Sequence, residues 1–153
     1  YTWSLEYIFH RKKNNNIVLI GMGNIGQALS KYGSFVRRNM NIVATFDIDP
    51  FKLKTRSEIP VYPMDRLKEV IEAYGARVAI IAVPEVSAQE VADQVVRFGI
   101  RGIVNFAPVL LKVPSDVVVN NVNLCDELEC VIYYVHNLIK SNDINSIDYS
   151  MGI

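Results

Sequence analysis

The chain has no excess charge of either sign: sixteen Lys and Arg are balanced by sixteen Asp and Glu. Without a basic surplus there is no electrostatic footprint for a nucleic-acid backbone, so any DNA contact has to come from outside these residues. Long hydrophobic runs are missing too. No stretch approaches the eighteen or so apolar residues of a membrane span, and no charged-then-apolar start marks a secretory signal, so the expected compartment is the cytoplasm, with no membrane partner. Cysteine and histidine are scarce, at two residues each. Cys125 and Cys130 are spaced C-x4-C on a helical pattern, about 140° apart around the axis, which suits neither a zinc pair nor a redox C-x-x-C; buried or inert thiols are expected. His10 and His136 stand near opposite ends, and no metal site is expected. An initial methionine is lacking as well, and the start at Tyr1 leads us to expect a fragment or a processed product.

Half of the 153 residues are hydrophobic, enough for one domain with a real core. The centre of the pattern is Asn16-Ile-Val-Leu-Ile-Gly-Met-Gly-Asn-Ile-Gly-Gln-Ala-Leu29, an apolar run that breaks into glycines and resumes with helical spacing. Gly21, Gly23 and Gly26 fit G-x-G-x-x-G: the first permits a sharp turn, the second lets backbone approach a pyrophosphate, the third lets helix pack closely on strand. The implied ligand is a dinucleotide. Its phosphates would sit at the N-terminus of the helix that begins near Asn24, where free N–H groups and the helix dipole favour an anion without any basic side chain. A second strand, Asn41-Ile-Val-Ala-Thr-Phe-Asp47, ends in an acid about 20 residues past the last glycine, where a ribose hydroxyl would be bound; the same acid, followed by Ile48-Asp49-Pro50, also suits a turn start.

The rest alternates strand and helix. Strands are expected at 17–20, 42–46, 78–83, 102–107 and 117–119, with a short extended piece at 60–63, and helices at 24–38, 64–74, 87–98 and 124–139. Val78-Ala-Ile-Ile-Ala-Val83 is apolar on both faces, the mark of a central parallel strand covered on both sides. The pattern predicts an α/β fold, a doubly wound and mainly parallel sheet with right-handed crossovers. Ligands in such sheets bind beyond the C-terminal strand ends. The expected wall is therefore 21–26, Asp47, Val83-Pro84 and Asn105-Phe106-Ala107-Pro108, although each proline also suits a plain strand exit. Tyr1 to Phe9 is rich in large apolar residues and fits a docking segment or an end helix over its own sheet, and the polar tail from Ser141 is expected to fray.

Six segments in order, G-M-G-N-I-G-Q-A-L from Gly21, F-D-I-D-P, P-V-Y-P-M-D-R-L, A-V-P-E-V-S-A-Q-E-V-A-D, G-I-R-G-I-V-N-F-A-P-V and N-V-N-L-C-D-E-L, resemble the nicotinamide-binding domain of the bacterial redox-sensing repressor family Rex. The resemblance implies a Rossmann-like NAD(H)-binding domain over 16–123 after a linker or docking segment over 1–15, then a C-terminal helix over 124–140 exchanged between the two subunits of a homodimer, and a flexible tail over 141–153. It implies a cofactor site at Gly21, Met22, Gly23, Asn24, Ile25, Gly26, Asp47, Val83, Pro84, Asn105, Ala107 and Pro108. It further implies a regulator rather than an enzyme, with operator DNA bound only through an N-terminal winged-helix domain that this chain would lack. Two departures stand out. Asn123 occupies a position where the family usually has aspartate, associated with the contact between cofactor and DNA domains, and Lys54-Thr-Arg-Ser57 replaces a glycine-containing stretch. Two other functions compete. The cofactor half of a dehydrogenase would need a proton donor or acceptor near the nicotinamide, usually from a second domain, and a coenzyme A-binding domain is disfavoured by the ribose acid Asp47.

Overall fold

A computed structural model describes residues 15–33, 35, 38–49 and 58–151. The segment Tyr1 to Phe9 and the Lys54 to Ser57 departure lie outside the described residues. The chain divides into two compact units between Val122 and Asn123.

The first unit holds β1 (Asn15–Ile20), α1 (Asn24–Ser30), β2 (Met40–Phe46), β3 (Val61–Tyr62), α2 (Leu67–Tyr74) after a 3-10 turn at Met64–Arg66, β4 (Val78–Ile81), α3 (Glu85–Arg97), β5 (Gly102–Asn105) and β6 (Val118–Asn121). All the strand pairings among them are parallel, in the order β3-β2-β1-β4-β5-β6. The chain thus winds outward from β1 to β3, returns beside β1, and winds the other way through β6. The reversal opens a crevice between β1 and β4 at their C-terminal ends.

Side-chain alternation along β1 explains why helices are needed on both faces. Val18 and Ile20 point into one core with Leu67, Val70 and Ile71 of α2 and Ala88, Val91, Ala92 and Val95 of α3. Ile17 and Leu19 point into the other, with Met22, Ile80 and the partly buried Leu29 of α1. Four successive apolar residues, Ile17 to Ile20, fit a central strand covered on both faces.

Several boundaries differ from the sequence pattern. The helix expected over 24–38 ends at Ser30, where the Ser30 hydroxyl donates back to the Gln27 carbonyl (2.7 Å) and Lys31 N–H reaches only Ala28 O, a tightening three-residue turn ahead of Gly33. β4 stops at Ile81 and α3 begins at Glu85, because Pro84 serves as N-cap with no N–H to satisfy. Tyr74, at helical spacing with the buried Leu67, Val70 and Ile71 of α2, is exposed.

The second unit is one helix, α4 (Leu124–Met151), of 28 residues and about 42 Å. The backbone expected to fray from Ser141 is helical through Met151: no glycine or proline interrupts it, and Ile144, Ile147 and Met151 keep helical spacing. Its first turn explains the Asn123 departure in local terms. Asn123 Oδ1 accepts from the N–H groups of Cys125 (3.0 Å) and Asp126 (3.2 Å), the geometry of an N-cap, in which asparagine and aspartate serve equally well. Cys125 and Cys130, expected as buried or inert, are free and exposed on this helix. No helix among the described residues is long and apolar enough to cross a membrane.

Candidate functional site

β1 runs out into the glycine turn. Gly21 has φ +107°, a conformation side chains rarely adopt, and a Cβ there would overlap the Ala82 carbonyl; a Cβ on Gly26 would overlap the Gly21 carbonyl. Both glycines are demanded by the protein's own packing. Gly23 is different. Its φ of −70° suits any residue, and among the described residues a Cβ there would meet nothing within 4 Å. Neither backbone strain nor crowding explains a glycine at this position; the space in front of it is open.

The turn is held from both sides. Met22 N–H donates to Asp47 Oδ2 (2.7 Å), and Met22 O accepts from Gln27 Nε2 (3.0 Å), which pins the two peptide groups flanking Met22, one to the residue after β2 and one to α1. The Gly23 N-cap makes no side-chain bond, and no acid stands in the first turn of α1. That end of the helix keeps free N–H groups and an undiminished positive dipole end. Asp47 starts a turn, one of the two expectations for it. Its Oδ1 accepts from Asp49 N–H (2.8 Å) in a turn, yet two oxygens offer roughly four lone-pair sites, so acceptor capacity is left toward the cleft.

That cleft, about 620 Å³, spans four strand exits: Gly21, Gly23, Asn24 and Ile25 after β1, Asp47, Ile48 and Asp49 after β2, Ala82, Val83 and Pro84 after β4, and Phe106 and Pro108 after β5. The volume lies in the range of small-molecule and cofactor pockets. Eight of the twelve expected contact residues thus line one space. Met22, Gly26, Asn105 and Ala107 do not: Met22, Asn105 and Ala107 are buried at 1%, 0% and 6% exposure, and Gly26 is buried beneath the turn. Ile48, Asp49 and Ala82 join the lining with no motif to announce them. Asp49 had one signal, its place two residues past the ribose acid.

The charged groups among the described lining residues are Asp47 and Asp49, both after β2. The β5 end is walled by Val83, Pro84, Phe106 and Pro108. Among the described residues no group of three or more His, Cys, Asp or Glu could hold a metal. The cleft can therefore hold an elongated ligand with a hydroxyl-bearing end at the acids, an anionic middle at the glycine turn and a flat apolar end at Phe106 and Pro108.

Residues 12–109 match a family model described as CoA binding domain. The redox-sensing transcriptional repressor Rex of Streptococcus equi subsp. equi is 43% identical over 124 residues, covering 79% of this chain and 58% of that protein. Its namesake from Listeria welshimeri is 34% identical over 145 residues, covering 90% of this chain and 67% of that protein. The chain spans about three fifths to two thirds of the curated relatives it matches. Crystal structures of RSP, one with beta-NADH and one with beta-NAD+ and operator DNA, align at a TM-score of 0.81 and 34% identity over 90% and 91% of this chain, and 67% and 64% of theirs. Sequence and fold agree over most of the chain, and it belongs to the Rex family of redox-sensing transcriptional repressors.

Proposed function

We propose that this chain is the NAD(H)-sensing part of a cytoplasmic transcriptional repressor, and that the NADH/NAD ratio acting on its cleft controls the operator affinity of the whole dimeric protein. The observation that carries this reading is Gly23, a glycine that the fold does not need and that faces open space between a pinned turn and a bare helix end. The pyrophosphate fits there, held by backbone N–H groups of the turn and of α1. Asp47 takes the adenosine ribose hydroxyls, and the nicotinamide nucleoside lies along Val83, Pro84, Phe106 and Pro108. Bound NAD(H) supplies a ring with two redox states; the residues around it bind and orient it. Both states of the cofactor are bound by RSP, one of them together with operator DNA, which supports the same use here.

An enzyme would need a proton donor or acceptor beside the nicotinamide. Among the described lining residues the titratable side chains are Asp47 and Asp49, at the opposite end. Coenzyme A, suggested by the name of the matching domain model, carries a phosphate on its adenosine ribose, and Asp47 with Asp49 would repel it. A competition titration separates these readings. NADH should bind at micromolar concentration or tighter, coenzyme A should not displace it, and bound NADH should not be oxidised by carbonyl substrates.

The same acids set cofactor choice. A 2′-phosphate about 4 Å from Asp47 costs about 1 kcal/mol in water and about 4 kcal/mol at an effective dielectric of 20, so NADPH should bind at least about tenfold more weakly than NADH. Equal affinities in a direct titration would remove Asp47 from the ribose.

α4 supplies the assembly. Leu124, Leu128, Val131, Val135 and Leu138 form one stripe, with Ile132, Ile139, Tyr133 and Tyr134 beside it, and all are 46–65% exposed. We assign this face to a second copy of the chain, its own α4 exchanged in return, because one continuous apolar strip on a helix with no other element in its unit calls for a partner surface.

A further inference from the structure

Asn105, the last residue of β5, is fully buried, and among the described residues it shares that status with one other polar residue, Thr45. Its Oδ1 accepts from Ala107 N–H (2.9 Å). Its Nδ2 faces three acceptors, the carbonyls of Ala107 (3.2 Å) and Val109 (2.9 Å) and Oδ1 of Asn121 at the end of β6 (2.9 Å). Its own carbonyl accepts from Val122 N–H (2.8 Å). The connection it serves, from Phe106 to Val117, contains no helix or strand, and its internal backbone bonds are a three-residue turn from Val109 to Ala107 and one from Val117 to Pro114. Buried backbone polar groups must find partners. Here one side-chain amide supplies what a ladder would have supplied. The two residues it pins, Ala107 and Val109, alternate with the two that line the cleft, Phe106 and Pro108.

We infer that Asn105 is a positioning residue for the cofactor: it touches no ligand and, by holding Ala107 and Val109 from beneath, sets where Phe106 and Pro108 stand against the nucleoside at the β5 end of the cleft. The inference rests on the NAD(H) reading above. Adjacent strands lie about 4.8 Å apart, so the exits from β2 to β5 span roughly 14 Å. With the adenosine ribose at Asp47, the β5 end receives the nicotinamide nucleoside. NADH and NAD differ only in that ring, flat and cationic when oxidised, so the placement of this wall bears on the difference a redox sensor must read.

The test compares NADH with ADP-ribose, which keeps the adenosine and pyrophosphate but has no ring. In the full chain, Asn105→Ala should weaken NADH about tenfold, leaving the buried Ala107 N–H and the Val109 carbonyl without their partner, and leave ADP-ribose within about twofold of wild type. Asn121 is exposed, and its variants carry the same test without loading the core. Asn121→Ala removes one acceptor and should weaken NADH about fivefold, on the scale of one hydrogen bond; Asn121→Asp keeps an oxygen there and should restore it. NADH affinity unchanged in Asn121→Ala, or NADH and ADP-ribose weakened together in either variant, overturns the inference. A wild-type chain that binds neither NADH nor ADP-ribose overturns the cofactor reading itself, and this inference with it.

Discussion

Gly23→Val is expected to abolish NADH binding in a domain that remains folded. The valine side chain would occupy the open space in front of the turn, where the pyrophosphate would meet backbone N–H groups. We expect affinity to fall at least about 100-fold, or roughly 2.7 kcal/mol. Stability should change by no more than about 1 kcal/mol, because a φ of −70° suits a side chain and nothing among the described residues lies within 4 Å of its Cβ. Loss of a favourable N-cap residue is offset by the smaller freedom of the unfolded chain. Gly26→Ala is the contrast. Its Cβ would overlap the Gly21 carbonyl, so it should destabilise the domain by about 3 kcal/mol, the upper range for overpacking. Thermal unfolding and NADH fluorescence on both variants check the pair. A folded Gly23→Val variant with unchanged NADH affinity would falsify the pyrophosphate assignment.

Leu128→Asp is expected to dissociate the dimer proposed above. Leu128 lies mid-stripe on α4, between Leu124 and Val131. In a two-fold symmetric assembly a single substitution enters the interface twice. Placing an unpaired carboxylate in an apolar interface centre costs about 3 kcal/mol per site, so two sites raise the dissociation constant by roughly four orders of magnitude. An obligate interface of this kind should exceed about 2,000 Å². Wild type should sediment as a dimer at micromolar concentration with or without NADH, and the variant as a monomer or as unfolded chain. A wild-type monomer under those conditions removes the exchanged helix from the proposal.

Elements whose signal is local were legible from the residues. β1 follows from four successive apolar residues, Ile17 to Ile20, because both its faces are covered, and α2 and α3 follow from three-to-four-residue spacing, because each buries one side against the sheet. Boundaries moved where a short-range competitor acted: the Ser30 hydroxyl at the end of α1 and Pro84 at the start of α3. The extension of α4 to Met151 was hidden by polarity, since a polar composition resembles a tail even when its spacing is helical and nothing in it breaks the helix.

The site divides along the same line. The glycine spacing, the acid after β2 and the strand exits were set by the sequence alone, because turn stereochemistry and the period of two along a strand are properties of neighbouring residues. Tertiary structure alone decided which of these residues line the cleft. Met22, Gly26, Asn105 and Ala107 stand in the right segments and turn inward, and Gly23 differs from Gly21 and Gly26 in having no neighbour among the described residues that a side chain would strike. That outcome depends on contacts between residues far apart in the chain: Asp47 with Met22, Gly21 with Ala82, Asn105 with Asn121. A motif places a residue at a strand end; whether it faces the cleft or supports it from below is decided by hydrogen bonds that form only after the sheet has brought those ends together.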